Sequence, residues 1–126
     1  MAGAEPFAKE GLPEIYLQPG ESRLVKEPAI LRTLLGSCVG IAFRVPRLGM
    51  GALRDEVEVK IFGGGDVLVA VSDTARPTVG RLNCEMAMKV LEEEGFYVSA
   101  SSLGGKRGVN IYFNTQTGEV LLQRHS

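Results

Sequence analysis

Only one stretch of this chain repeats with a helical period. From Thr78 to Glu94 the apolar residues Leu82, Met86 and Val90 recur at four-residue spacing with Ala87 and Leu91 beside them, and Gly95 supplies a stop. The three acids Glu92 to Glu94 sit at the negative end of the helix dipole, so they are expected to face solvent and packing must hold the helix.

Most of the remaining chain alternates with the period of a strand. Glu14 to Gln18 does so before the turn pair Pro19-Gly20, and Ser22 to Lys26 is a candidate return strand ahead of Pro28 and Ile30-Leu31. From Cys38 to Arg44, Val39, Ile41 and Phe43 share one face while Cys38, Gly40 and Ala42 share the other, which predicts a buried strand closely packed on one side. Val57, Val59 and Ile61 alternate with Glu56, Glu58 and Lys60, a half-exposed pattern that ends at Gly63-Gly64-Gly65. Val67 to Val71, Phe96 to Ala100, Val109 to Asn114 and Glu119 to Gln123 are further strands, the last two joined by a hairpin at Asn114 to Gly118. Residues 1–13 are expected to form a flexible leader, residues 45–55 a connection with no room for a helix, and residues 14–126 one domain.

Composition narrows the functions. With 126 residues and 44% hydrophobic content, one core is affordable, and 14 basic against 15 acidic residues leave no positive field for nucleic acid. No apolar run approaches the roughly 20 residues of a membrane span, which speaks against membrane insertion, and the first residues lack a secretion pattern, so the cytoplasm is the expected compartment. Two cysteines, Cys38 and Cys84, make no disulfide framework and are too few for zinc. No metal site or cofactor is expected. The glycine clusters Gly63-Gly64-Gly65 and Gly104-Gly105 lack the lysine and hydroxyl residue of a phosphate loop, and turns account for them.

Cys38 follows a glycine corner in Thr33-Leu34-Leu35-Gly36-Ser37-Cys38-Val39-Gly40, where a strand start would aim a thiol at the rim of a sheet. A thiolate there would be a strong nucleophile if a base oriented it; the alternative is a small buried hydrophobe. Cys84, next to Asn83 on the helix, reads as a packing residue.

The blocks Leu35-Gly36-Ser37-Cys38-Val39, Lys60-Ile61-Phe62-Gly63-Gly64-Gly65, Val79-Gly80 with Asn83, Gly104-Gly105, Tyr112-Phe113 and Thr117-Gly118-Glu119-Val120 occur in one order over residues 23–124. In this the chain resembles CheD, the chemoreceptor glutamine deamidases. The resemblance implies a layered α/β (α+β) sandwich of mixed sheet strands with one main helix, one family helix being missing. It also implies that Cys38 attacks the carboxamide of a receptor glutamine. Ammonia leaves, water resolves the thioester, glutamate results, and no cofactor takes part. Thr33 falls at the position of a threonine that supports the family histidine, or Arg32 does if the register moves by one. Ser37, Gly63, Gly64 and Asn83 fall in the loops expected to bind the oxyanion or substrate.

Leu53 stands where that histidine belongs, in Gly49-Met50-Gly51-Ala52-Leu53-Arg54. Leucine carries no proton, and one well-placed acid or base contributes about 100-fold to 10,000-fold, so turnover is expected to be weak or lost. Leu82 and Val109 likewise replace arginines common in the family, with Arg81 and Arg107 close by in sequence. The single histidine, His125, is a substitute only if its strand ends beside the cysteine corner. Asp55, Glu56 and Asp66 are poor replacements, since a carboxylate raises a thiol pKa. The resemblance suggests receptor helices and a CheC-like phosphatase as partners. Loss of a helix would also uncover apolar surface, so self-association into a homo-oligomer is a further expectation.

Overall fold

The expected helix forms as α1, Val79–Glu93, in a computed structural model that describes residues 11–45, 57–65 and 78–124. Thr78 caps it, its hydroxyl accepting from the Arg81 N–H at 3.1 Å, and Gly95 follows the C-cap Glu94 at φ +81°. Glu92, Glu93 and Glu94 are exposed, as the dipole requires.

Seven strands are found among the described residues: β1 Glu14–Tyr16, β2 Ile30–Leu35, β3 Val39–Arg44, β4 Glu58–Gly63, β5 Val98–Leu103, β6 Val109–Asn114 and β7 Val120–Arg124. They form two mixed sheets, one ordered β1-β2-β6-β7 and one ordered β3-β4-β5. The α+β sandwich implied by the resemblance is therefore present. One core lies between the sheets around Leu35, Phe62, Val109 and Ile111. The other joins Val59 and Ile61 of β4 to Leu91 of α1. The order is helix, three-stranded sheet, four-stranded sheet.

Four expectations change. Ser22 to Lys26 is not a strand, because β2 runs parallel to β1 and the intervening chain must cross over instead of returning. β3 is not buried: among the described residues it is the edge of its sheet, with Ile41 and Phe43 half exposed, although its small face does pack closely, Gly40 lying against Leu35. β4 is not half exposed, since it is central and covered on both faces. Its polar side chains are used at the end of the sandwich: Arg44 pairs with Glu58 at 2.8 Å and donates to the Thr115 and Gln116 carbonyls, while the Lys60 ammonium donates to the Gly118 carbonyl at 2.6 Å. These contacts pin the Asn114 to Gly118 hairpin turn of one sheet to the other.

The fourth change concerns the helix. Its sheet-facing row is Gly80, Cys84, Ala87 and Leu91, while Leu82, Met86 and Val90 are exposed. Small residues won the inner face because the helix start lies almost in contact with the glycine loop after β4. The Val67 to Val71 strand, most of the 45–55 connection and residues 1–10 of the leader lie outside the described residues. Among those described, no helix is long and apolar enough to cross a membrane.

Candidate functional site

β2 belongs to one sheet and β3 to the other, so Gly36, Ser37 and Cys38 must turn the chain from layer to layer within three residues. Three neighbours hold that corner. The Gly64 N–H donates to the Cys38 carbonyl at 2.8 Å, the Gly65 N–H to the Gly36 carbonyl at 2.9 Å, and Asn83 Nδ2 to the Ser37 carbonyl at 2.9 Å. Every carbonyl of the corner is thus engaged, and the Cys38 side chain is left exposed. The buried-hydrophobe alternative is overturned for Cys38.

Close backbone approach explains the glycines. Gly63 has φ +101°, and a Cβ there would collide with the Cys38 carbonyl; Gly64 has φ +68° and lies against Cys84 and Gly80. Gly80 in turn has no room for a methyl beside the Gly64 and Gly65 carbonyls. The Gly104 N–H donates to the Gly63 carbonyl at 2.9 Å. Cys84 Sγ lies 3.9 Å from the Gly64 carbonyl, in keeping with a packing role, and no disulfide joins it to Cys38. The importance of Gly80 was visible in the sequence only as part of the Val79-Gly80 block.

Cys38 lines a groove of about 960 Å³ between the sheets. Leu31, Thr33, Leu35, Ile111 and Phe113 of the four-stranded sheet face Gly40, Ala42 and Phe62, and the Gln18 to Leu24 crossover supplies a further wall. That crossover was not anticipated. Thr33 shares the groove with Cys38, but its hydroxyl donates to the Leu17 carbonyl at 3.0 Å. Arg32 is committed to Glu14 at 3.1 Å and lies over the Tyr112 ring. Gly64 and Asn83 use the donors described above on the cysteine corner, so they set the direction of the thiol. Arg81 pairs with Glu85 on the helix surface, Leu82 is exposed, and Val109 is core. Leu53, Asp55, Glu56, Asp66 and His125 lie outside the described residues.

Among the described residues the ionisable groove neighbours of Cys38 are Glu21, Arg23 and Arg32. The Gln18 N–H, at 2.9 Å, and Arg23, at 3.1 Å, hold the Glu21 carboxyl below its ordinary range, so it stays ionised at neutral pH. A guanidinium carries donors only and has no lone pair with which to act as a base.

The corner gives a direct expectation. Asn83→Asp places an acceptor against the Ser37 carbonyl; it should cost about 1 to 3 kcal/mol and change the alkylation rate of Cys38 by iodoacetamide several-fold. Unchanged unfolding and alkylation would show that Asn83 does not hold the corner.

Together the layers and the corner define a class: a small α+β protein presenting a rigidly mounted thiol at the mouth of an apolar groove. The family model described as CheD chemotactic sensory transduction matches residues 47–124. A probable chemoreceptor glutamine deamidase CheD 2 of Geobacter sulfurreducens is 35% identical, with 90% of this chain and 91% of the relative covered. A probable chemoreceptor glutamine deamidase CheD of Trichlorobacter lovleyi is 32% identical over 86% of this chain and 89% of the relative. The corresponding Agrobacterium fabrum protein is 28% identical over 84% and 77%. The chain belongs to the CheD family. Its alignment with the Geobacter protein extends over 147 positions, more than the 126 residues available here, so that relative carries residues with no counterpart in this chain.

Proposed function

We propose that this chain is a receptor-directed CheD protein whose groove accepts a glutamine side chain at Cys38 but turns it over weakly or not at all. It acts mainly by binding chemoreceptor helices or a CheC-like phosphatase. The observation that carries the reading is the composition of the described groove walls: an exposed thiol whose ionisable neighbours are two arginines and one carboxylate held in its charged form, with no histidine among them. Deamidation requires the thiol proton to leave as sulfur attacks the carboxamide carbon, and ammonia must gain a proton as it departs. Leu53 at the family histidine position cannot do either. The residues that the Geobacter relative has and this chain lacks agree with a reduced site.

One observation favours a second reading in which the chain remains an active deamidase. β7 ends at Arg124, which pairs with Val109, and Val109 pairs with Leu35. His125 therefore follows a strand that ends on the cysteine side of the sheet, two strand spacings or about 10 Å from Leu35. In this reading His125 supplies the missing base.

Ammonia release from a glutamine-bearing receptor fragment separates the two. The wild-type rate should lie about 100-fold to 10,000-fold below that of a relative carrying the histidine, with receptor binding retained in Cys38→Ala. A rate matching the relative, lost in both Cys38→Ala and His125→Ala, would establish the second reading instead.

A further inference from the structure

α1 leaves an apolar row in solvent on one flank: Val79 is 55% exposed, Leu82 50%, Met86 60% and Val90 46%. This flank runs along β3. Asn83, on the same side of the helix, holds the Ser37 carbonyl just before β3 begins, and Phe96, just beyond α1, packs edge-on against Phe43 near the end of β3 at 5.2 Å. Among the described residues β3 is the last strand of its sheet, with Ile41 and Phe43 partly exposed. Exposed apolar side chains of β3 and of the helix flank thus lie side by side.

A third feature says what fits them. Beside the apolar row, on its solvent side, Arg81, Glu85, Lys89 and Glu93 follow one another at four-residue spacing with alternating sign. Their ion pairs within the helix are exposed, and such pairs add little stability. Reversed, the row reads negative, positive, negative, positive. It therefore matches an antiparallel copy of itself and opposes a parallel one.

We infer that a second copy of this chain covers the flank about a two-fold axis near Met86. The two helices lie antiparallel. Met86 meets its own copy, Leu82 meets Val90 of the partner subunit, and Arg81 faces Glu93 of the partner subunit. One patch serves both subunits, as an isologous contact requires. The net charge of -1 leaves little repulsion between copies. This inference is independent of whether Cys38 turns over.

Sedimentation equilibrium of the full chain over a wide concentration range tests it. The mass should rise from that of the 13.5 kDa chain to twice that value. Met86→Glu sets like charges together at the axis of a buried contact and should weaken the dimer by about 100-fold or more, with an unchanged circular dichroism spectrum. Arg81→Glu should weaken it several-fold, and Arg81→Glu combined with Glu93→Arg should restore it. Met86→Cys should cross-link to its own copy on mild oxidation. A wild-type monomer at every concentration would overturn the inference, as would a dimer indifferent to Met86→Glu or a double reversal no better than the single one. A monomer whose flank instead binds a receptor-derived amphipathic helix, with Met86→Glu abolishing that binding, would overturn it too.

Discussion

Gly63→Ala should be strongly damaging for the addition of a single methyl. A side chain at φ +101° costs about 1 to 3 kcal/mol of backbone strain, and overpacking against the Cys38 carbonyl and the Leu35 side chain adds about 1 to 3 kcal/mol more. In a chain of this size the sum should lower the melting temperature by about 10 °C or more. The carbonyl it strikes belongs to the candidate nucleophile, so the alkylation rate of Cys38 should change in whatever fraction still folds. Gly20→Ala isolates backbone strain, because Gly20 has φ +79° with no atom close to the added methyl. Its effect should stay near 1 kcal/mol. Equal losses for the two variants would show that the contact with the cysteine corner carries no energy of its own.

Ile61→Ala should lose about 3 to 4 kcal/mol, the cost of a cavity beneath a helix. Ile61 and Val59 are 0% exposed on β4 and meet Leu91, with Ala87, Val39 and Phe96 around them. A buried side chain of this size stabilises a fold by roughly 1.5 to 3 kcal/mol through transfer alone, and α1 has few others to hold it. Met86→Ala, by contrast, should change stability by less than about 0.5 kcal/mol when measured at high dilution, where subunits separate. Urea unfolding followed by circular dichroism reads both. A large loss for Met86→Ala would mean that the helix buries the row Leu82, Met86 and Val90 after all.

The contrast between Ile61 and Met86 marks how far a linear pattern can be followed. Periodicity located α1 to within one residue at each end, because Thr78 and Gly95 are local devices that act through the backbone beside them. It did not identify the inner face, since Gly80, Cys84 and Ala87 look unremarkable until the glycine loop of β4 is seen pressed against them. Likewise the alternation in Val57 to Ile61 was read correctly, yet its polar members Glu58 and Lys60 are spent on Arg44 and on the hairpin turn from the other sheet. Alternation reports two unlike faces; it does not report what stands opposite each.

The candidate site divides in the same way. Cys38, Asn83 and the glycines were legible as blocks in order, and family membership followed from them. Their geometry was not, because each partner is distant in the chain: Ser37 meets Asn83, Cys38 meets Gly64, and Gly63 meets Gly104.

Sequence by itself determined α1 with its caps, most of the described strands, the absence of a histidine near the cysteine block and the family to which the chain belongs. Only the tertiary structure decided that the thiol is exposed, that Ile41 and Phe43 of β3 are half exposed and that the longest apolar row of α1 points to solvent. Caps, turns and periods depend on neighbours within a few residues, whereas exposure depends on which distant segment arrives on top, and that is settled only when the layers close.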